Sequence, residues 1–432
     1  MDLLRRKTQL NGLLAFLKEC EQDIAEALRN DLGRPEFEAT VVEIGPVRSE
    51  ISYTLAHLES WLKPQSVVTP LISQPGRSWI QYQPLGRVLV ISPWNYPFKT
   101  SLSPICSLMA AGNQIALKPS EHALSCAHLL ANQLPRYVDI EVHTGDSKTA
   151  KDLLEQQWDH IVFTGDGHVG RLVYQKAASN LTPVTLELGG KCPAIVDESA
   201  SLTLSARRII WGKMLNAGQT CVAPDYVLVH ESLKDELIKR FKKSLRAFFG
   251  EQPRESSHFG RIINGMHVKR LAALLEGADV IHGGEFDVDQ KYVAPTLVNA
   301  SSWEHPLMQE EIFGPILPVM SYREFEEALA LVNKCPKPLA IYCFSANKKL
   351  QDKILENTSS GAVCFNDVVS QAGIYTLPFG GVGASGIGAY HGKFGFERFS
   401  HARAIYSKTT AVDIPLRYPP YTNLARKVAS WL

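Results

Sequence analysis

A glutamate and a cysteine, each set beside glycine, are the residues of this chain best able to do chemistry. Glu187 lies in Leu186-Glu187-Leu188-Gly189-Gly190-Lys191, and Cys221 closes Gly218-Gln219-Thr220-Cys221. A thiol attacks as its thiolate, and with an ordinary pKa of about 8.5 it needs a helix N-terminus, a cation or a base to be populated at neutral pH. Glu187 supplies a base, for the thiol or for water. The pair points to covalent thiol chemistry with water activation. Each residue alone has a plainer reading: a single cysteine is most often buried filler, and a strand-end glutamate is most often paired with a lysine.

Local pattern sharpens the chemistry. If Leu186 to Leu188 is extended, Glu187 points opposite to both leucines, and partial burial raises its pKa toward the range of a general base. The residues ahead of Cys221 predict a loop turning into a short helix, whose backbone N–H groups favour a thiolate. Asn95, between Trp94 and Tyr96 and just past a predicted strand, carries an amide able to donate to an oxygen that gains charge as a thiol adds to a carbonyl. The Cys221 backbone N–H is the second donor, and a donor of this kind is worth about 2.7–4 kcal/mol. Alone, Asn95 reads as a turn residue. The other cysteines, Cys192 and Cys364 among them, are read as structural.

These segments resemble the active-site signatures of the aldehyde dehydrogenase superfamily, and flanking segments narrow the resemblance to its class 3 (fatty and aromatic aldehyde) branch. The likeness runs in order through Pro93-Trp94-Asn95-Tyr96-Pro97-Phe98, Leu117-Lys118-Pro119-Ser120-Glu121, Phe163-Thr164-Gly165, Glu310-Glu311-Ile312-Phe313-Gly314-Pro315 and Pro378-Phe379-Gly380-Gly381. It covers nearly the whole chain, which is expected to begin inside the family's first helical region. The resemblance implies Cys221 as nucleophile, Glu187 as the base that activates water, and Asn95 as oxyanion donor. It implies a bound NAD, with NADP as the second candidate, held by Ser92, Pro93, Trp94, Thr164, Gly165, Gly170, Leu188 and Gly189. Lys118, Ser120 and Glu121 fall on the adenine side, where Glu121 suits a free ribose 2′-hydroxyl and Lys118 offsets its repulsion of a 2′-phosphate. Glu311 and Phe313 fall on the nicotinamide side, and Tyr96 and Phe379 on the substrate. The implied substrates are medium- to long-chain aliphatic or aromatic aldehydes, and the implied assembly is a homodimer whose bridging strands extend the partner's sheet.

Two positions depart from the family pattern. Asp166 stands where relatives carry a small hydroxyl or glycine; its charge repels phosphate unless the side chain caps the helix that follows, which is the expected arrangement. Val369-Ser370-Gln371 stands where class 3 relatives often have a histidine. A literal G-x-G-x-x-G, Gly381 to Gly386, is not read as a dinucleotide fingerprint, because too little strand precedes it and Gly388 interrupts any helix. It reads instead as a loop shaping the substrate side. Pyrophosphate is expected at the strand-to-helix turn Gly165 to Gly170.

The elements that must position these groups follow from pattern. Short β-rich runs alternate with helical stretches: Val88 to Ser92, Leu102 to Ala111, Ile115 to Lys118, His122 to Leu134, then Asp159 to Phe163 and a helix through Ser179. A second series runs through Pro193 to Val196, Tyr226 to Val229, Ser232 to Phe249 and Leu339 to Phe344. Alternation of this kind predicts parallel sheets covered by helices. Ser78 to Gln83 and Ala402 to Lys408 fit neither series and form the expected bridging sheet. The fold class is therefore α/β, aldehyde dehydrogenase-like, with two parallel-sheet domains and a small bridging β-sheet. The expected division is 1–64 with 85–187 for dinucleotide binding, 188–398 for catalysis, and 65–84 with 399–432 for bridging.

Composition bounds the rest. A chain of 432 residues, 45% hydrophobic, exceeds one core. A net charge of +1, from 45 basic and 44 acidic side chains, gives no footprint for nucleic acid or an anionic membrane. Eight cysteines without a CxxC pair give neither a zinc ribbon nor a disulfide framework, so no metal is expected and a reducing cytoplasm fits best. Near the start, Leu10, Leu13, Leu14 and Leu17 recur at helical spacing and read as an amphipathic helix, not a signal peptide. Three rival functions remain: thioester transfer to coenzyme A, a thiol esterase, and a dinucleotide-binding structural protein. A retained water-activating Glu187 argues against the first two, and Cys221, Glu187 and Asn95 together argue against the third.

Overall fold

The computed structural model describes residues 2–300 and 302–430. Its first helix, Leu3–Glu19, starts where Asp2 accepts a hydrogen bond from the Arg5 N–H at 2.8 Å and buries Leu10, Leu13 and Leu17, with Leu14 packed at the margin. The second, Glu21–Leu32, stops at Gly33, whose φ of +57° is the left-handed conformation that ends a helix at least cost in glycine.

The first large sheet has six strands in the order Gly386–Ile387, Val184–Glu187, His160–Thr164, Arg87–Ile91, Gln114–Lys118 and Glu141–Val142. All neighbours pair in parallel except the short edge strand Gly386–Ile387, which runs antiparallel to Val184–Glu187. Helices cover both faces, and alternation along one strand shows it. Val88 and Val90 enter the core built on helices Leu3–Glu19, Gly45–Trp61 and Lys99–Ala111, whereas Leu89 and Ile91 enter the core under helix Gly167–Ser179. Burial on both faces is why these strands read as continuous apolar runs.

The second sheet has seven strands in the order Val280–His282, Thr296–Asn299, Ile316–Tyr322, Tyr226–His230, Pro193–Val196, Ala340–Phe344 and Ala362–Phe365. The same alternation sends Val227 and Val229 to one core and Tyr226 and Leu228 to the other. A three-stranded antiparallel sheet stands apart from both: Gln65–Val67, Gly76–Pro84 and Ser400–Lys408, the last two paired over nine residues from Ser400↔Pro84 to Lys408↔Gly76. The expected α/β class, with two parallel sheets and a small antiparallel one, is what the chain forms. No helix among the described residues is long and apolar enough to cross a membrane.

One buried amide joins three of these parts. Asn113, 3% exposed, donates to the carbonyls of Phe399 at 2.9 Å and Leu108 at 3.3 Å, and accepts from the Gly86 N–H at 3.0 Å. Helix Lys99–Ala111, the start of strand Arg87–Ile91 and the entry to strand Ser400–Lys408 therefore share one side chain. Asn113→Ala orphans buried backbone groups that each cost about 1–3 kcal/mol, so a loss of about 2–4 kcal/mol is expected in urea denaturation. A shift below about 0.5 kcal/mol, the range of an ordinary surface substitution, would remove Asn113 from this role.

Candidate functional site

The carboxyl ends of the parallel strands in the first sheet meet the second sheet's loops around a cavity of about 880 Å³. Strand Arg87–Ile91 delivers Pro93, Trp94, Asn95 and Tyr96 to its wall; His160–Thr164 delivers Thr164, Gly165 and Asp166; Val184–Glu187 delivers Glu187, Leu188 and Gly189. The far wall carries Cys221, Glu311 and Phe313, and a third side comes from the π-helical turn Ala39–Ile44 and helix Gly45–Trp61 through Val41, Val42 and Pro46. Crevices outside the carboxyl ends of parallel strands are where α/β folds bind ligands, and this volume lies within the usual range for a small-molecule site of about 300–1,000 Å³.

Cys221, Glu187 and Asn95 thus share one cavity although they are far apart in sequence. Glu187 is 2% exposed, and neither carboxyl oxygen has a hydrogen-bond partner among the described residues. Burial holds its pKa well above the ordinary carboxylate range, with Arg398 opposing weakly. The strand alternation expected from sequence is present: Leu186 and Leu188 pack together in the apolar core with Phe163, and Glu187 takes the other direction. No lysine pairs with it.

The Cys221 loop departs from expectation. No helix follows the cysteine; the chain makes a turn closed by the Ala223 N–H on the Thr220 carbonyl at 2.9 Å and then enters strand Tyr226–His230. The reason lies upstream, where Asn216, Ala217 and Gly218 hold φ of +52°, +51° and +77° in succession. Such a run stores strain and persists only when its surroundings over-determine it. Gln219 does that: its amide donates to Asn216 O and Arg261 O, both at 2.9 Å, and accepts from Ile263 N at 3.0 Å. At Gly218 a Cβ would lie 2.2 Å from the Gly314 carbonyl oxygen, so this loop and the Glu311–Phe313 loop touch backbone to backbone. Without a helix dipole, burial pushes the thiol up to about 12; Glu311 and Glu187 add to the rise and Lys99 opposes it.

Asn95 is 4% exposed and donates one amide proton to the Gln219 carbonyl at 3.0 Å, leaving its second for another acceptor. Its own carbonyl accepts from Asn216 Nδ2 at 2.9 Å and from the Arg34 guanidinium, which is also paired with Glu43 and lies 4.5 Å over the Tyr96 ring. Tyr96 is held by a hydroxyl contact of 2.7 Å with Thr220. Sequence reading missed Arg34, Glu43 and Asn216 as positioning residues and took Gln219 only as part of the loop ahead of Cys221; no local pattern marks contacts that reach so far along the chain.

Among the other expected positions, Pro93, Trp94, Thr164, Gly165, Leu188, Gly189, Glu311 and Phe313 line the cavity, as do Tyr96 and Phe379. Ser92, Lys118, Ser120, Glu121 and Gly170 lie beyond it: Lys118 and Glu121 form an ion pair at 2.6 Å past strand Gln114–Lys118, and Ser120 Oγ accepts from His122 N at 3.2 Å. Asp166 caps helix Gly167–Ser179, its carboxylate accepting from His168 N at 2.7 Å and Val169 N at 3.3 Å. Glu311 nests against Gly189, where a Cβ would lie 1.9 Å from its carboxyl oxygen; burial, then Asp225, pushes its pKa up to about 8. The loop that carries it is tied down by Lys191, which bonds Asp225 at 2.6 Å and the carbonyls of Leu307 and Glu310 at 2.7 and 2.9 Å. Phe313 meets Trp94 edge to face at 5.5 Å. The Gly381 to Gly386 run does not shape the substrate side as expected: its end forms strand Gly386–Ile387 against Glu187 and Leu186, and only the neighbouring Phe379 reaches the cavity.

Comparison with known proteins identifies the family and the fold. Residues 1–405 match the family described as the aldehyde dehydrogenase family. The chain is 44% identical over 430 residues to aldehyde dehydrogenase family 3 comG of Dictyostelium discoideum, covering 98% of this chain and 92% of that protein. It is 43% identical to a dimeric NADP-preferring aldehyde dehydrogenase of Canis lupus familiaris, covering 96% and 93%. The structure superposes on the substrate-bound state of Staphylococcus aureus AldH with a TM-score of 0.97 at 41% identity, covering 100% of this chain and 95% of that one.

Two measurements test the geometry. Below a pKa of about 12 the thiolate fraction rises with pH, so alkylation of Cys221 by iodoacetamide, read by mass spectrometry, should climb from pH 7 to 9 without a plateau, by less than about tenfold per unit because Glu311 ionises beside it over this range. Glu311 is uncharged at pH 7 and ionised at pH 9, so Glu311→Gln should speed alkylation at pH 9 and not at pH 7; a plateau below pH 9 would mean that the thiolate is stabilised. Separately, Arg34→Met strands the buried Glu43 charge and should cost about 3–5 kcal/mol in urea denaturation, with partial recovery in Arg34→Met/Glu43→Gln. Equal loss in the single and double variants would remove the ion pair from the explanation.

Proposed function

Because the chain belongs to the aldehyde dehydrogenase family, we propose that Cys221, Glu187 and Asn95 carry out an NAD(P)-dependent oxidation of medium- to long-chain aliphatic or aromatic aldehydes to carboxylic acids. The observation that carries this reading is the convergence of a thiol, an unpartnered buried carboxyl and an amide on one cavity. Cys221 Sγ adds to the aldehyde carbon, and the carbonyl oxygen, becoming an oxyanion, takes a hydrogen bond from the free proton of the Asn95 amide and one from the Cys221 N–H. A nicotinamide held by these residues would supply the hydride acceptor, and loss of hydride from the thiohemiacetal carbon would leave a thioester on Cys221. Glu187 then takes a proton from water as its oxygen attacks the thioester, and the acid departs with the thiol restored. Covalent capture makes hydride departure intramolecular, so positioning supplies much of the rate.

The residues present fit a dinucleotide. Trp94, Gly165, Leu188 and Gly189 line the approach to Glu187, and nothing lies within 4 Å of a Cβ built at Gly167, so there is space beside the start of helix Gly167–Ser179, where Asp166 already takes two N–H groups. Lys118, Ser120 and Glu121 would hold the adenine-side ribose, and Glu311 with Phe313 the nicotinamide side. Pro93, Ser92, Thr164 and Gly170 complete the cofactor side, and Tyr96 and Phe379 hold the substrate. The division into 1–64 with 85–187, 188–398, and 65–84 with 399–432 belongs to this proposal, as do a homodimer built on the three-stranded sheet and a cytoplasmic location. That sheet region exposes Val67, Val68, Leu71, Ile72 and Tyr406, a dimer is named for the canine relative, and all eight cysteines are free.

Purified protein with an aliphatic or aromatic aldehyde and NAD or NADP should generate reduced nicotinamide. Cys221→Ala should lose this by at least about 10³-fold. Glu187→Gln should release about one equivalent of reduced nicotinamide per active site in a burst and then turn over at least tenfold more slowly, since thioester hydrolysis is the step it impairs. Aldehyde-dependent reduction surviving in Cys221→Ala would end the covalent reading, and a Glu187→Gln variant without a burst would move Glu187 to an earlier step.

A further inference from the structure

Lys99 opens helix Lys99–Ala111, four residues beyond Asn95, and lines the same cavity as Cys221. The apolar Val41, Val42, Pro46, Trp211, Ile374 and Phe379 line this cavity too, with Arg48 as another cation in its wall. The Lys99 ammonium donates to the Ala372 carbonyl at 2.9 Å, and an ammonium has three donors. Two donors therefore lack a protein partner, and no carboxylate forms an ion pair with it among the described residues.

The nearby acids are already committed. Glu43 is bound by Arg34 and by the Lys99 backbone N–H, the latter at 2.7 Å. Glu50 accepts from Gly392 N at 3.1 Å, and burial pushes its carboxyl up to about 7. His391, 4.0 Å from Glu50, is held neutral by burial, its pKa pushed down to about 3. Burial also lowers the Lys99 pKa, with the Cys221 thiolate, Glu43 and Glu50 pulling the other way. A partly buried cation with spare donors and no carboxylate in ion-pair range is the feature that an incoming anion satisfies.

We propose that Lys99 is a specificity residue for aldehydes that carry a carboxylate at the end remote from the reacting carbonyl, the Cys221 end of the cavity taking the aldehyde and Lys99 the carboxylate. The inference rests on the aldehyde dehydrogenase reading and deepens it. The apolar wall accepts the intervening chain or ring, while Lys99 supplies a charge-assisted hydrogen bond that the neutral analogue cannot make. The preference appears mainly in KM, because the contact forms on binding and persists through the reaction.

The test compares matched pairs, hexanal with 6-oxohexanoate and benzaldehyde with 4-carboxybenzaldehyde, in wild type, Lys99→Met, Lys99→Gln and Lys99→Arg. Wild type should give the higher kcat/KM with the carboxylated member of at least one pair. That ratio should fall at least tenfold in the Met and Gln variants and be largely kept by Lys99→Arg. A parallel arm needs no turnover: terephthalate should slow iodoacetamide modification of Cys221 in wild type and not in Lys99→Met. Preference for the neutral members by wild type, or equal loss for both members of each pair, overturns the proposal. If no aldehyde supports reduction, the dehydrogenase reading fails instead, and the alkylation arm still decides whether Lys99 binds a carboxylate: protection lost with the lysine supports it, and no protection in wild type overturns it.

Discussion

A single buried guanidinium fixes the geometry on which the site depends. Arg34 is 1% exposed and reaches three parts of the molecule at once: Glu43 in the π-helical turn, the Asn95 carbonyl, and the face of Tyr96. Removing charges from water costs several kcal/mol per ion, and such pairs are weak evidence for net stability. What this pair supplies is position. The Asn95 peptide is gripped on its carbonyl by Arg34 and Asn216, while its side chain grips Gln219 in the Cys221 loop. The N-terminal helices, the end of strand Arg87–Ile91 and the Cys221 loop are thereby held in one register.

Within that frame burial disfavours the charged forms of both Glu187 and Cys221. Glu187 lacks hydrogen-bond partners, and Cys221 sits near two carboxyls with Lys99 as the opposing cation. Each shift has the same leading cause, burial, which penalises whichever form is charged. The cavity therefore disfavours a standing thiolate beside a standing carboxylate, a pair that would repel. In the proposed mechanism, loss of the thiol proton would be coupled to a charge forming on the substrate oxygen, toward Asn95 and the Cys221 N–H, and a dry environment strengthens such a contact.

How much of this was legible depended on distance along the chain. Strands such as Pro193–Val196 were readable to the residue, because double-sided burial demands an unbroken apolar run. The alternation that turns Glu187 away from Leu186 and Leu188 is a property of three consecutive residues, so sequence sufficed. The helix expected after Cys221 failed because three left-handed residues upstream redirect the chain, and only the bonds of Gln219 to Arg261 and Ile263, some 40 positions on, hold them there. Strands Thr296–Asn299, Ile316–Tyr322 and Ala362–Phe365 went unread: the first is only four residues long, the second is interrupted by Pro318, and the third is short and half-exposed at a sheet edge. Arg34 and Lys99 were silent for another reason: each looks like a surface cation until the fold encloses it.

The turn after strand His160–Thr164 shows how one residue redistributes a ligand's hold. A helix N-terminus binds phosphate because its first N–H groups have no intrahelical partner. Here Asp166 occupies two of them, His168 N and Val169 N, while Gly165 N is spent on the Glu187 carbonyl and Gly170 N on the Asp166 carbonyl. A pyrophosphate therefore finds few free donors at this turn and a carboxylate already seated on the helix end. On the proposed function, a dinucleotide would then be held mainly at its two extremities, by Lys118 with Glu121 at one and by the Lys191-braced loop of Glu311 and Phe313 at the other. Its anchorage would come from ribose contacts more than from the pyrophosphate turn.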